Sequence, residues 1–402
     1  MTVAPEISEK VLAYALGFVR KVVDQTRPRR AAGEGEQQAQ KLTLNELMAY
    51  CDETNEEKIR AYPGAGTRLQ KIVCLAMAAA TVLFVVSVFS GTATAASIAI
   101  VLSFCGTGLF IYRFFFDGTK LGFLAARRTS ANLFGKRYAR YEPLRRVVLV
   151  TRCDAPQKLR KPVLGSATPN LLTLTGLLGT ALLFVCTAVF LFAGAPEKNG
   201  FFGFLAVVCA LFIPGYVYAA FLANPNEVSA GISEALVPTA TALGVMKSLF
   251  DRSERYERTE ICLLVSGAEF SARAGSYAFA KKHKKLYSDI PTIFIPIETL
   301  TTTKRLSVFF RSGTGSAQAA SVVAEAADNL NLHLDRETSP LGSACFTPFA
   351  AAGFDSCSVG TSRRLLAKYG EAQSVEDIDK NAVAAMGALL IESLNYFDSY
   401  GG

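Results

Sequence analysis

Acidic residues standing at the ends of short apolar runs are the part of this sequence that could do chemistry. In Thr259 to His283 the apolar, partly β-branched run Ile261 to Val265 is broken by Ser266 and Gly267, Glu269 follows, and helix formers resume at Gly275. This order predicts a buried strand that delivers Glu269 to a turn before a helix, the place where open α/β sheets present a general base. Pro291 to Glu298 is a second buried strand ending in an acid, and Arg145 to Asp154 a third apolar run ending in Arg152, Cys153 and Asp154. Glu234 stands at the start of a helix-forming stretch, where the macrodipole favours a carboxylate. A thiol at Cys153 or Cys345 would need a base to become a nucleophile, and neither of the two histidines, His283 and His333, is placed to supply one.

The stretch Gly267-Ala268-Glu269-Phe270, followed by Gly275-Ser276-Tyr277-Ala278-Phe279-Ala280, resembles a segment of the two-zinc aminopeptidases, metallopeptidase family 28. There a strand ends in Gly-x-Glu-Glu and a Gly-Ser-x-x-Tyr/Phe-Ala helix follows. Other stretches resemble the family in the same order. Arg27 to Glu36 is similar to its opening turn, Ser130-Ala131-Asn132 to its Ser-x-Asn-Val strand, and Arg152-Cys153-Asp154 to its His-x-Asp. Gly231 to Leu249 is similar to the family's Gly-Ala-Asn-Asp-Asn segment and the helix after it. Gly342 to Phe354 and Ser374 to Asp379 are similar to its closing motifs.

The resemblance implies Glu269 as the general base and a metal shell at Arg152, Glu234, Phe270, Glu298 and about Tyr369, with Asp154 orienting the first of these. The types at those positions oppose zinc. A guanidinium has five donors and no acceptor, and a phenyl ring has no electron pair to give. Glu234 and Glu298 with Glu269 would at most make a hard-oxygen site for magnesium or calcium. The plainer expectation is that Asp154, Glu234, Glu269 and Glu298 line a polar cleft and satisfy Arg152, with no cofactor; zinc returns only under a different ligand assignment.

These residues must be positioned by a chain that is half hydrophobic, with a mean hydropathy of +0.28. Four segments account for it: Ile72 to Ser90, Thr94 to Tyr112, Leu171 to Ala193 and Phe201 to Ala223. Each is free of charge and long enough to cross roughly 30 Å of hydrocarbon. They form two hairpins, one closing at Gly91 and one at Pro196 to Asn199, and Pro214 predicts a kink in the last. Residues 1–71 carry 11 Lys and Arg, residues 113–169 carry 13, and the hairpin loops only Lys198, so both termini and the soluble parts are expected on the cytoplasmic side. Topology thus accounts for the net charge of +8. Basic residues flank the membrane segments with no recognition pattern, which argues against nucleic acid, while anionic lipid is a natural neighbour. Nine scattered cysteines without C-x-x-C spacing suit a reducing compartment, and the amino terminus has no continuous apolar core of a signal peptide.

The expected organisation is residues 1–71 as amino-terminal helices of a peptidase-like domain, 72–116 and 170–223 as membrane hairpins, 117–169 as two strands joined by a basic turn, and 224–402 as the main part of the domain. The fold class is α/β, a mixed, mostly parallel sheet flanked by helices, plus four transmembrane helices. Three functions stay open: a peptidase-like protein that has lost zinc and binds a peptide or partner protein; an active hydrolase with a reorganised site and Glu269 as base; and a regulatory domain on a four-helix transporter or channel. The last is opposed by the absence of any Asp, Glu, Lys, Arg or His inside the four segments. Oligomeric state is not readable from the sequence.

Overall fold

A computed structural model describes residues 5–116, 124–159, 168–196, 199–311, 317–338, 344–362, 372 and 374–400. In chain order its elements are α1 (Pro5–Gln25), α2 (Glu34–Tyr50), β1 (Glu53–Ala61), α3 (Ala65–Ser90), α4 (Ala93–Phe116), β2 (Arg128–Arg137), β3 (Arg145–Arg152) and β4 (Gln157–Leu159). Then come α5 (Thr168–Phe192), α6 (Gly200–Ala210), α7 (Ile213–Phe221), β5 (Ala223–Val228), a π-helical turn (Ile232–Leu236), α8 (Val237–Asp251), β6 (Thr259–Ser266) and α9 (Ala274–Lys282). β7 (Thr292–Pro296), β8 (Leu306–Phe310), α10 (Ala317–Asn329), β9 (Leu334–Thr338), α11 (Thr347–Ala352), β10 (Asp355–Ser356), β11 (Ser358–Thr361) and α12 (Lys380–Tyr400) complete it. The chain divides into two compact units, residues 1–63, 126–157 and 227–402 in one and 64–125 and 158–226 in the other.

The first unit is built on a six-stranded sheet of order β1-β2-β6-β3-β7-β10. β6, β3, β7 and β10 are parallel, and β1 and β2 add an antiparallel edge. Strands buried on both faces need apolar residues throughout, and the alternation assigns each to a layer. Val147, Leu149, Ile261, Leu263, Val265, Ile293 and Ile295 face the core of α1, α2, α8, α10 and α12. Val148, Val150, Cys262, Leu264 and Phe294 face the other way, onto Phe279, Tyr287, Phe349 and Phe354 of the α9 and α11 layer. A bridge from Ile297 to Val359 leads on to the smaller sheet β11-β8-β9. Helices thus cover both faces of a mostly parallel sheet, as expected. One local expectation changes: β2 and β3 follow each other in sequence but do not pair, because β6 lies between them.

In the second unit four helical stretches are long and apolar enough to cross a membrane, Ala65–Ser90, Ala93–Tyr112, Leu174–Phe192 and Gly200–Phe221. α3 is the most buried and carries Cys74, Met77, Ala80 and Phe84 into the bundle core. It starts at Ala65 rather than near residue 72, so Arg68 and Lys71 lie in its first two turns, and the boundary between units falls at Pro63. Gly91 ends it in the left-handed conformation, φ 66°, that lets the chain turn back into α4. The fourth segment breaks after Ala210, and Pro214 occupies the first turn of α7, where its missing N–H costs no hydrogen bond. β1 and β2 pair with Ala61 opposite Arg128, so α3 and α4 are inserted in the sequence between two paired strands.

Candidate functional site

The carboxyl ends of β3, β6 and β7 bring together most of the residues singled out in the sequence. β6 ends at Ser266, and residues 267–273 form a tight turn in which Ala268, Ala272 and Arg273 are left-handed, with φ of 49°, 56° and 52°. Such angles cost a non-glycine residue of the order of 1 kcal/mol or more each, so something must hold the turn. Four polar groups do. Asn132 Oδ1 accepts the Gly267 N–H at 2.9 Å, Glu36 Oε1 accepts that of Ala268 at 2.5 Å, and Asp154 Oδ2 accepts that of Phe270 at 2.7 Å. Asn132 Nδ2 then donates to Gly275 O at 2.9 Å. Gly275 has no alternative, since a Cβ there would lie 2.4 Å from Asn132 Oδ1, Gly267 O and Ser266 Oγ.

Glu269, at the crest of this turn, is buried, and its Oε2 accepts hydrogen bonds from Ser266 Oγ at 2.7 Å and Ser276 Oγ at 2.9 Å. Arg152, at the end of β3, is buried as well. Its Nε donates to Glu234 O at 2.7 Å, its Nη1 to Cys345 Sγ at 2.8 Å, and its guanidinium centre lies 5.0 Å from the centroid of the Phe270 ring. Burial works against its charge, but Cys345, Glu298, Glu269 and Glu234 outweigh this and raise its pKa further. Glu298, two residues beyond β7, accepts from the Cys345 N–H at 2.7 Å, the Cys345 thiol at 3.2 Å and Ser358 Oγ at 2.9 Å. Cys345 therefore links Arg152 to Glu298. Glu234 is half-buried on the π-helical turn rather than a solvated helix start.

Asp154 and Glu36 are acids whose pKa burial raises. Burial, with Glu36 adding to it, raises Asp154 well above the usual carboxylate range, and its Oδ1 has no hydrogen-bond partner among the described residues. Burial likewise raises Glu36 to about 7, although the N–H groups of Ala268 and Ala32 pull it part of the way back. Cys153 and Cys345 are both pushed up to about 12 by burial, so these thiols stay protonated and are no nucleophiles. His283 pairs with Glu57 and His333 with Asp335, not with either thiol.

Zinc does not fit this set. Among the described residues no group of three or more His, Cys, Asp and Glu side chains is placed to hold a metal ion. Arg152 presents N–H donors where the resemblance implies a ligand, and Glu269, Glu298 and Asp154 each turn an oxygen to a protein donor. Tyr369 lies outside the described residues. Glu36 and the Ser266–Ser276 pair were not among the expected site residues. Their signals were present: Glu36 closes the Arg27 to Glu36 turn, and both serines flank the Glu269 loop.

No protein-family model matches the sequence, and no curated protein matches it by sequence. Solved structures share its fold. An aminopeptidase from Aneurinibacillus sp. strain AM-1 matches with a TM-score of 0.55 at 9% identity, covering 97% of this chain and 95% of its own. A zinc aminopeptidase from Bacillus subtilis matches at 0.53 and 13%, covering 96% and 95%. A glutaminyl cyclase from an Acidobacteriales bacterium matches at 0.54 and 10%, covering 96% and 94%. The protein thus has the α/β fold of zinc aminopeptidases and glutaminyl cyclases. At these identities the likeness is one of fold.

Proposed function

We propose that this chain is an integral membrane protein whose aminopeptidase-like unit, a divergent relative of metallopeptidase family 28, has exchanged zinc chemistry for binding a peptide or a segment of a partner protein. The observation that carries this reading is the contact of Arg152 with Phe270: a buried cation and a ring stand at two of the positions where the resemblance implies metal ligands. A guanidinium already held by Glu234 O and Cys345 Sγ supplies the positive charge that a metal would otherwise bring to the surrounding carboxylates. Phe270, 38% exposed, offers an apolar surface beside it. The distribution of Lys and Arg supports a cytoplasmic location for both termini and for this unit.

Elemental analysis of the detergent-purified protein tests the reading. Substoichiometric zinc, manganese, cobalt and magnesium, with no aminopeptidase turnover, is the expected result; about two metals per chain would overturn it. A second reading, a hydrolase in which Glu269 acts as base, has one observation in its favour, the retention of a carboxylate positioned by two serine hydroxyls. Under it Glu269→Gln abolishes a measurable amidase or aminopeptidase activity; equal activity in both proteins would remove it.

A further inference from the structure

The amino end of the central sheet, opposite the candidate site, carries a surface that the cleft does not use. β3 and β6 pair Arg145 with Thr259 at this end and Arg152 with Ser266 at the other, roughly 25 Å away along the strand. The loop 138–144 enters β3 here, and the turn 283–291 enters β7, its Pro291 O accepting the Arg146 N–H at 2.9 Å. The chain leaves for α3 from the far end of β1, at Ala61, since Glu53 pairs with Lys136 beside the loop.

The loop is fixed, yet its large side chains are left outside. Tyr138 N–H donates to Asp52 Oδ2 at 2.8 Å, Arg140 N–H to Tyr256 O at 2.8 Å, Tyr141 N–H to Glu257 O at 2.9 Å and Leu144 N–H to Arg258 O at 2.9 Å. Tyr138, Tyr141 and Leu144 nevertheless expose 46%, 58% and 46% of their surface. A backbone held at four points cannot fold these groups inward, and it gives up little freedom when something covers them. Tyrosine so presented is the type of side chain that anchors protein interfaces.

A chain of contacts joins this loop to the end of α9. Lys136 Nζ lies 5.8 Å from the Tyr138 ring centroid and 3.6 Å from Glu260, Glu260 holds Arg146 at 2.5 Å, and the Arg146 guanidinium lies 4.5 Å from the Tyr287 ring centroid. Tyr287 is buried, but Leu286 before it exposes 58%. Lys281, Lys284 and Lys285 precede it and are exposed. Charge at a helix carboxyl end accounts for Lys281 and not for Lys284 and Lys285, which lie past the helix.

Charge decides what can cover this strip. Lys281, Lys284, Lys285, Arg140 and Arg258 are exposed and make no ion pair among the described residues, against Glu142 and Glu257 in the same state. The surplus is positive, which calls for an acidic partner. Both acids belong to the tyrosine loop or to the segment that holds it. A nucleic acid or an anionic lipid surface brings phosphate at every step and would set it against them, whereas a polypeptide can place an apolar or basic residue there. We infer that Tyr141, Leu144 and Leu286, with Lys281, Lys284 and Lys285, form a docking surface for an acidic segment of a partner protein, the first three taking its apolar residues and the lysines its carboxylates.

Fluorescence anisotropy tests this with a labelled peptide of repeated Glu-Leu-Glu-Glu-Tyr, titrated with the full chain in phosphatidylcholine nanodiscs against empty discs as the blank. The triple variant Lys281→Gln, Lys284→Gln, Lys285→Gln should weaken binding roughly tenfold, about twofold for each exposed ion pair. Tyr141→Ser with Leu144→Ser should weaken it at least about tenfold. Melting temperatures should stay at the wild-type value, because all five side chains are exposed. Polyglutamate of equal length should bind at least about tenfold more weakly, having charge without anchors. Absence of binding at about 1 mM peptide, equal binding of polyglutamate, or insensitivity to either variant would overturn the inference. Displacement of the peptide by oligodeoxythymidylate or by phosphatidylglycerol vesicles at equal charge would overturn it too, in favour of a nucleic acid or a lipid surface.

Discussion

The guanidinium of Arg152 lies 5.0 Å from the ring centroid of Phe270, joining by a cation–π contact two residues that stand where the resemblance to zinc aminopeptidases implies metal ligands. The two side chains thus act as one unit. Arg152 alone would be a buried cation, and Phe270 alone an apolar ring in a carboxylate-lined cleft; together they satisfy each other. Asp154 joins the same unit by accepting the Phe270 N–H at 2.7 Å.

This coupling has a measurable size. Arg152→Met leaves the Cys345 and Glu298 pair without its cation and should lower the melting temperature by roughly 6–12 °C, the effect of about 3 kcal/mol lost from a buried charge network. Phe270→Ala, at a half-exposed site, should cost only about 1 kcal/mol. The double variant should fall short of the sum by about 0.5–1 kcal/mol. Arg152→Lys should not rescue the protein, because one ammonium lacks the fork that reaches Glu234 O and Cys345 Sγ together. Strict additivity in thermal melts of the detergent-solubilised proteins would show that the pair does not act as a unit.

The turn that carries Glu269 makes a sharper demand. Gly275→Ala would place a Cβ 2.4 Å from Gly267 O, a backbone atom that cannot swing aside. The expected cost exceeds about 4 kcal/mol, enough to prevent accumulation of folded protein. Gly17→Ala in α1, where a Cβ meets nothing within 4 Å, should instead stabilise by about 0.5–1 kcal/mol. Expression yield and melting temperature of the two variants settle this, and a well-folded Gly275→Ala protein would contradict the packing described.

Much of the fold was legible because local pattern determines it. The apolar runs at 145–152, 259–266 and 292–296 read directly as strands, because both their faces are buried and apolar residues run through them; that they are parallel came from the resemblance. Pro214 marked a helix break and Gly91 a hairpin turn. The insertion of β6 between β2 and β3 was not legible, because pairing between strands more than 120 residues apart leaves no local trace. Glu36 was missed for a related reason. Its partners are the N–H groups of Ala32 and Ala268, and backbone donors have no sequence signature. The early start of α3 was hidden by Arg68 and Lys71, which hydropathy counts as loop and a helix accepts readily.

Within the unit of long apolar helices two glycines should respond in opposite ways. A Cβ at Gly179 would lie 2.6 Å from both Phe212 Cδ1 and Tyr216 Oη, so Gly179→Leu must separate α5 from α7. Gly108 on α4 meets nothing within 4 Å, and Gly108→Leu should be tolerated and add apolar surface. The check is the temperature at which each variant leaves the monodisperse peak in detergent gel filtration. A drop of more than about 5 °C is expected for Gly179→Leu, and a comparable drop for Gly108→Leu would mean that this face of α4 is covered.

The pH dependence of stability follows from Glu36, whose carboxyl rises from the usual 4.5 to about 7 on folding because it is buried. Over that window the folded protein retains a proton that the unfolded chain has released, so stability must decline as pH rises from about 4.5 to 7. Asp154, raised by burial in the same way, adds to the same slope. Groups held low by partners, such as Asp52 beside Arg255, act in the opposite sense but only below the ordinary carboxylate range. Glu36→Gln carries no titratable proton, and its amide oxygen can still accept one of the two N–H groups. Its melting temperature should therefore match the wild type near pH 5 to within about 1 kcal/mol, the cost of one weakened hydrogen bond, and change less between pH 5 and 8. A wild-type melting temperature that climbs across this window, or a Glu36→Gln slope as steep as the wild type's, would show that Glu36 is ionised throughout and that the turn bearing Glu269 rests on a charged anchor instead of a titrating one.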